Sequence, residues 1–256
     1  MWIAHLSDLH LTATGLPLYG RVDTRAAWRL ALRRLAALRR RPDLLLLTGD
    51  LADDGEFATY LDLKQALVAL DMPFYLLPGN HDARAALARA FPESCAAWQD
   101  GVARFDLPGG RLLLLDTVVP GEEWGRVDPA QLDRLEACLA GPALLAMHHP
   151  PFAVGIPGMD RIACRGEIGR LGECLARSGG VEGLLCGHVH RHVATLFHGV
   201  PAQVAPAPAH QIALDADPLA YTLEPGGLLL HDWQPGRQLI SHYLPIQPAP
   251  VHVYED

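Results

Sequence analysis

Five short apolar runs in this chain of 256 residues each end in a loop that carries Asp, Asn or His. WIAHL runs into Asp8-Leu9-His10, DLLLLT into Gly49-Asp50, FYLLP into Gly79-Asn80-His81-Asp82, ALLAM into His148-His149, and GLLC into Gly187-His188-Val189-His190. Short apolar, β-prone runs read as strands, and strands apolar throughout must be covered on both faces. Helical patterns lie between them. Asp23 or Thr24 offers an N-cap to a run in which Trp28, Leu32, Leu35 and Leu38 recur at helical spacing, and EFATYLDLKQALVAL is helical again. Asp128-Pro129 opens a helix to about Leu139, and Glu167 to Arg177 forms another. Strand alternating with helix through the first two thirds, then mostly strands, predicts an α/β layered domain.

The remaining punctuation fills in the plan. Pro108, Gly109 and Gly110 turn a hairpin between VARFDL and RLLLLDT, and turns at Glu224 to Gly227 and Pro235-Gly236 divide a β-rich tail. Val154 to Arg165 has no clear periodicity and reads as a loop over the site. The expected organisation is one domain over 1–256, with a cap segment around 152–165 and a β-rich part from about 193.

Charge and cysteine usage narrow the setting. A formal net charge of −8 with a pI near 5.9 argues against a nucleic-acid polymer or an anionic membrane as the main partner. No apolar run approaches the roughly 18 to 20 residues of a membrane span, and MWIAHLSDLH lacks a secretory signal. Five scattered cysteines without a C-x-x-C pair fit reduced thiols, so the expected location is cytoplasmic. An anionic substrate of so acidic a protein must be held by something local.

Each polar strand end alone reads as turn chemistry. In PGNHD, Pro78 and Gly79 break the strand, Asn80 tolerates a left-handed backbone, and Asp82 caps a helix or orients a neighbour. Five such ends, all bearing Asp, Asn or His, point instead to one shared site, since loops of this kind meet at one edge of a sheet. Oxygen and imidazole donors without thiolate suit divalent Fe, Mn, Zn or Co. Seven donor side chains exceed one tetrahedral centre, so two ions are expected, with Asp50 able to bridge them. Two divalent ions against Asp8, Asp50 and a bridging hydroxide leave about one positive charge, enough to hold an anion. Asn80 adds a neutral oxygen where a carboxylate would cancel that charge, and its weak donation predicts a more labile ion. His5 turns inward on the first strand, whereas His192, His198, His231, His242 and His252 sit in no ligand-bearing block and read as core or surface histidines. No phosphate-binding G-x-x-x-x-G-K-[ST] loop, H-E-x-x-H pair or G-x-S-x-G elbow is present.

In this order, D-x-H, G-D, G-N-H-D, H-H-P-P and G-H-x-H resemble the calcineurin-like metallophosphoesterase superfamily from Asp8 to His190. The block spacings are similar to those of class III cyclic nucleotide phosphodiesterases and dimetal glycerophosphodiesterases. GLPLYGRVD (Gly15 to Asp23), GMDRIAC (Gly158 to Cys164) and AHQI around His210 are similar to the glycerophosphodiesterase branch, which makes Tyr19 and His210 candidate substrate contacts. The resemblance implies an α/β fold, a layered α/β/β/α sandwich of two mixed sheets flanked by helices. It implies a first ion on Asp8, His10, Asp50 and His190 and a second on Asp50, Asn80, His149 and His188, with His148 behind the ligands. Asn80 and His81 are the implied catalytic residues, His81 beside the departing alkoxide. The implied activity is hydrolysis of small phosphodiesters, glycerophosphodiesters or 3′,5′-cyclic nucleotides, by attack of a metal-bound hydroxide. A phosphomonoesterase is the alternative, followed by a non-catalytic scaffold. Homo-oligomers through the C-terminal part are also implied, while QIALDADPLAY after His210 departs from the family pattern.

Overall fold

The apolar runs do form strands, and their alternation explains how the leucines of those runs are covered. The computed structural model describes residues 1–254. Its first half runs β1 (Trp2–Leu6), α1 (Thr24–Ala36), β2 (Leu44–Thr48), α2 (Phe57–Ala69), β3 (Phe74–Leu77), α3 (Arg84–Ala90) and α4 (Pro92–Cys95). Then come β4 (Trp98–Gln99), β5 (Val102–Leu107), β6 (Gly110–Leu115), β7 (Arg126–Val127), α5 (Pro129–Cys138), β8 (Ala143–Met147), α6 (Pro157–Asp160), β9 (Arg165–Gly166) and α7 (Ile168–Ser178). The chain finishes with β10 (Val181–Cys186), β11 (Val193–Phe197), β12 (Val200–Val204), β13 (Gln211–Ile212), β14 (Tyr221–Thr222), β15 (Gly227–Asp232) and β16 (Ile240–Pro245).

Two mixed sheets dominate, one ordered β16-β15-β1-β2-β3 and the other β11-β12-β10-β8-β6-β5-β4. Along β2, Leu44 and Leu46 face the second sheet while Leu45 and Leu47 face the helices, because successive side chains of a strand point to opposite faces. Leu112 and Leu114 of β6, Leu144 and Ala146 of β8 and Leu185 of β10 meet Ile3, Leu44 and Leu46 in the layer between the sheets. Trp28, Tyr60, Leu63 and Leu87 cover the outside of the first sheet, and Leu132, Leu135, Leu171 and Leu175 the outside of the second. The expected α/β/β/α layering is the result. At about 25 cal/mol per Å2 of apolar surface, each buried leucine in these layers contributes roughly 2 kcal/mol, the main driving force for stacking them.

Parallel pairing fixes where the polar ends go. β1, β2 and β3 are mutually parallel, as are β6, β8, β10 and β12, so their C-terminal ends share one edge of each sheet. The crossovers this requires are supplied by α1, α2, α5 and α7, except between β10 and β12, where the connection carries β11. Asp23 caps α1, accepting from the Ala26 N–H at 2.8 Å, and Asp128 with Gln131 forms a capping box on α5. Two local features bear on the site. Strand β10 stops at Cys186, because His188 and His190 adopt φ of 73° and 56° and cannot continue a strand. The irregular 154–165 segment contains the short α6. Among the described residues, no helix is long and apolar enough to cross a membrane.

Candidate metal centre

Five of the polar residues at the strand ends, Asp8, His10, Asp50, His188 and His190, have left-handed backbones, with φ of 55°, 43°, 50°, 73° and 56°. Such conformations cost on the order of 1–3 kcal/mol each and persist only where the surroundings over-determine them. Here the determinants are hydrogen bonds between loops. Asp8 N–H donates to Gly49 O at 3.0 Å and His10 N–H to Asp50 O at 2.9 Å, joining the ends of β1 and β2. The Asp8 carboxylate accepts the His188 N–H at 3.0 and 3.1 Å, joining the first sheet to the second.

The loop after β3 is built the same way. Gly79 is needed for closeness and not for a left-handed turn: a Cβ there would collide with the Asp50 carboxylate and backbone nitrogen. His81 N–H donates to Asp50 Oδ1 at 2.9 Å. Asp82 caps no helix, since α3 begins at Arg84 after an uncapped Ala83. Instead its carboxylate accepts from the N–H groups of Gly79 (2.8 Å), Leu51 and Ala52 (both 3.1 Å) and from the Tyr60 hydroxyl (2.9 Å). It orients two loops against each other, the second of the two roles that its position in the sequence allowed.

Asp50 Oδ2 lies 3.4 Å from both His10 Nε2 and His148 Nε2, between two groups of donors. On one side, His10 Nε2 faces His190 Nε2 at 3.0 Å, and His190 Nε2 is 3.5 Å from Asp8 Oδ1. On the other, His148 Nε2 is 3.2 Å from Asn80 Oδ1, and His188 stands beside it with ring centroids 5.1 Å apart. His188 Nε2 meets Ile162 O at 3.1 Å, which leaves Nδ1 as its free donor.

His148, His149 and His188 offer nitrogens within 4.8 Å of one another, and of the two adjacent histidines it is His148 whose ring faces Asp50. Expectation placed His149 on an ion and His148 behind it. His148 Nδ1 donates to Thr48 O at 2.7 Å, freeing Nε2 to face Asn80 and Asp50. Both nitrogens of His149 are engaged elsewhere, Nδ1 with Thr117 Oγ1 at 2.8 Å and Nε2 with Glu123 O at 3.2 Å. The cause is local: His148 directly follows the last residue of β8 and inherits a position over the neighbouring sheet, while His149 turns back over Gly125.

A divalent cation fits this donor set for an electrostatic reason. Asp8 and Asp50 are fully buried carboxylates, and the ion-pair partners they have are His10, His148 and His190, with no Lys or Arg. Buried charges without a full counter-charge are costly. Burial, reinforced by Asp50, raises the Asp8 pKa to about 6, although nearby histidines pull the other way. Burial opposes a proton on His148, yet the Asp50 and Asp8 charges outweigh it and raise the pKa to about 9. The carboxylates thus draw a positive charge toward themselves. Burial and neighbouring histidines lower His188 to about 3 and His190 far below the usual imidazole range, leaving neutral rings with lone pairs to give. His190 Nδ1 is buried without a hydrogen-bond partner.

Asp53, which sequence reasoning missed, accepts from both His10 Nδ1 and His81 Nδ1 at 3.0 Å. The only signal for it was its place three residues after Asp50. Burial would lower the His81 pKa, but the Asp53 hydrogen bond and the Asp50 and Asp53 charges raise it to about 9.

These residues open onto a cavity of about 210 Å3 whose lining includes His10, Asp50, Asn80, His81, His188 and His190. Tyr19 and His210, the expected substrate contacts, also line it, with His210 4.5 Å from the His190 ring. Met159, Ile162, Ile212, Leu219 and Tyr221 form much of its apolar wall, Met159 and Ile162 from the GMDRIAC stretch and Ile212 from the AHQI stretch noted in the sequence. Met159 and Ile162 both lie within the 154–165 segment.

The model of the family described as calcineurin-like phosphoesterase matches residues 1–192. A glycerophosphodiester phosphodiesterase from Enterobacter lignolyticus is 32% identical over 253 residues, covering 94% of this chain and 90% of that protein. A 3′,5′-cyclic-nucleotide phosphodiesterase from Nostoc sp. is 30% identical over 257 residues, covering 96% and 95% respectively. The fold is similar to that of a dimetal phosphatase from Danio rerio, with a TM-score of 0.66 and 15% identity over 95% of this chain and 98% of that one.

Proposed function

The chain belongs to the calcineurin-like phosphoesterase family, and from that premise we propose that it is a metal-dependent phosphodiesterase acting on small diesters such as glycerophosphodiesters or 3′,5′-cyclic nucleotides. The observation that carries this reading is the pair of buried carboxylates, Asp8 and Asp50, set among imidazoles with no Lys or Arg to balance them.

In this reading Asp8, His10, Asp50 and His190 hold one divalent ion and Asp50, Asn80, His148 and His188 the other, with His149 a support for the loop that covers it. Bound there, the ions supply positive charge for the phosphoryl oxygens and acidify a coordinated water. The chain's own residues do the rest. The P–O bond to the leaving alcohol breaks as water attacks from the opposite side. Asp53 holds the Nδ1–H of His81, leaving Nε2 to give a proton to the departing oxygen. Among the residues lining the cavity there is no Lys or Arg, which favours a singly charged diester over a dianionic monoester. The five free cysteines fit a reducing compartment, so cytoplasmic location is part of the proposal. So is a homo-oligomer, for which the exposed Ile240 and Tyr243 on edge strand β16 are the candidate contacts.

The test is turnover of glycerophosphoethanolamine, glycerophosphocholine and 3′,5′-cyclic AMP with Mn2+, Zn2+ or Fe2+ added to chelator-treated protein. Hydrolysis of at least one diester that chelator abolishes is expected. No diester turnover beside good monoesterase activity would overturn the reading.

A further inference from the structure

Beneath the metal centre a row of polar side chains crosses the first sheet one strand at a time. Ser241 Oγ on β16 meets His231 Nδ1 on β15 at 2.7 Å, and His231 Nε2 meets His5 Nδ1 on β1 at 3.1 Å. His5 Nε2 then meets Thr48 Oγ1 on β2 at 2.8 Å. Register makes the row continuous, since His231 pairs with Ser241 and with Ile3, and His5 pairs with Leu46, all on the face turned toward the second sheet. His5, Thr48 and His231 are completely buried, while Ser241 at the sheet edge is half-buried. Elsewhere that layer is filled by Ile3, Leu46, Leu114, Leu185 and Trp233.

Two imidazoles in an apolar layer cost solvation, and apolar side chains would fill the space without that cost. What distinguishes this row is its end point. Thr48 is the last residue of β2, two before Asp50, and its carbonyl accepts both the Ser7 hydroxyl at 3.1 Å and His148 Nδ1–H at 2.7 Å. That second bond fixes the ring whose Nε2 faces Asn80 and Asp50.

We propose that Ser241, His231, His5 and Thr48 form a positioning network that sets the Thr48 carbonyl, and through it the His148 ring, for the ion between Asp50 and Asn80. Each imidazole is neutral and has one donor and one acceptor nitrogen, so all the bonds run in one direction from the sheet edge to Thr48 or in the other. Run outward from the Thr48 hydroxyl, the bonds satisfy every buried group of the row and leave only the Ser241 hydroxyl proton, at the half-buried sheet edge, to find water. Partners that orient a ligand from behind typically contribute ten- to a hundredfold to metal affinity. The inference rests on the two-ion reading above and adds residues to it that lie outside the ligand-bearing loops.

The experiment is Mn2+ titration of chelator-treated protein, with free Mn2+ read by electron paramagnetic resonance. The binding step lost in His148→Ala identifies the ion concerned. Thr48→Val keeps the carbonyl and the shape but removes the hydroxyl, and is expected to weaken that step by about tenfold while changing the other by less than about twofold. Thr48→Ser is expected to restore it. His5→Leu combined with His231→Leu, which removes the row without stranding a partner imidazole, is expected to weaken the same step in protein that still unfolds cooperatively. Unchanged Mn2+ affinity in folded Thr48→Val, or equal weakening of both steps, would overturn the proposal. Wild-type protein that takes up no Mn2+ would instead overturn the metal-centre reading beneath it.

Discussion

The two sheets contribute opposite chemistry to their shared edge. Every carboxylate and amide oxygen in the candidate centre, from Asp8, Asp50 and Asn80, comes from the ends of β1, β2 and β3, while β8 and β10 deliver imidazoles alone. The supporting residues divide the same way, with Asp53 and Asp82 on the first sheet and His149 on the second. One half is a cluster of negative charge that needs a cation, and the other is a set of imidazoles in which burial keeps His188 and His190 unprotonated while the facing carboxylates favour a proton on His148. Neither half encloses an ion alone. The difference teaches that affinity here depends on the apolar layer that stacks the sheets as much as on the donors themselves.

The sharpest way to break this comparison is at Asp50, the one residue placed against both groups. Asp50→Ala is expected to release both ions and lower diester turnover on the order of 10³-fold or more, read by metal analysis and assay together. Retention of either ion would show that the halves are more independent than their geometry suggests. Within the imidazole half, His148→Ala should cost about 10²- to 10³-fold in turnover and remove one ion, whereas His149→Ala should cost about ten- to a hundredfold and keep both. The opposite ranking in metal content would restore the order that the sequence first implied.

Smaller effects probe what stands behind the donors. Asp53→Asn is expected to lower turnover of alkyl diesters by about tenfold, because His81 loses the partner that raises its pKa to about 9. An activated aryl leaving group, which needs no proton, should show less loss; equal loss on both would sink the acid role of His81. The smallest effect concerns His231, which His5, His192 and His242 face. Burial, with the charges of His192 and His242, lowers its pKa to about 3 in the folded chain, against about 6.5 unfolded. Between those values the unfolded chain binds the extra proton, so this contribution to stability is full above about pH 6.5 and is lost as pH falls toward 3. His231→Leu should reduce proton uptake on unfolding near pH 5 by about one, measured from the pH dependence of denaturant midpoints. Unchanged uptake would mean that the buried imidazole is already protonated in the fold.

Much of this was legible in the chain. β1, β2, β3 and β8 follow from runs of leucine and other apolar residues bounded by polar loops, and α1 and α5 from caps at Asp23 and Asp128 that the structure uses. The grouping of Asp8, His10, Asp50, Asn80, His188 and His190 followed from their shared place at strand ends. Asp53 and the contribution of Leu219 and Tyr221 to the cavity wall were not legible, because their partners lie far away in sequence. The order of His148 and His149 was hidden for a different reason: two adjacent histidines leave a strand in opposite directions, and only the position of the facing sheet decides which one meets Asp50.

By itself the sequence determined the element types, the kind of donor and the edge at which donors gather, since strand periodicity and turn chemistry act within a few residues. The tertiary structure alone decided which nitrogen of which histidine is free, what orients it, and how the row from Ser241 to Thr48 reaches it. Those outcomes depend on hydrogen bonds such as Thr48 to His148, 100 residues apart, whose geometry exists only once the apolar layer has brought the two sheets together.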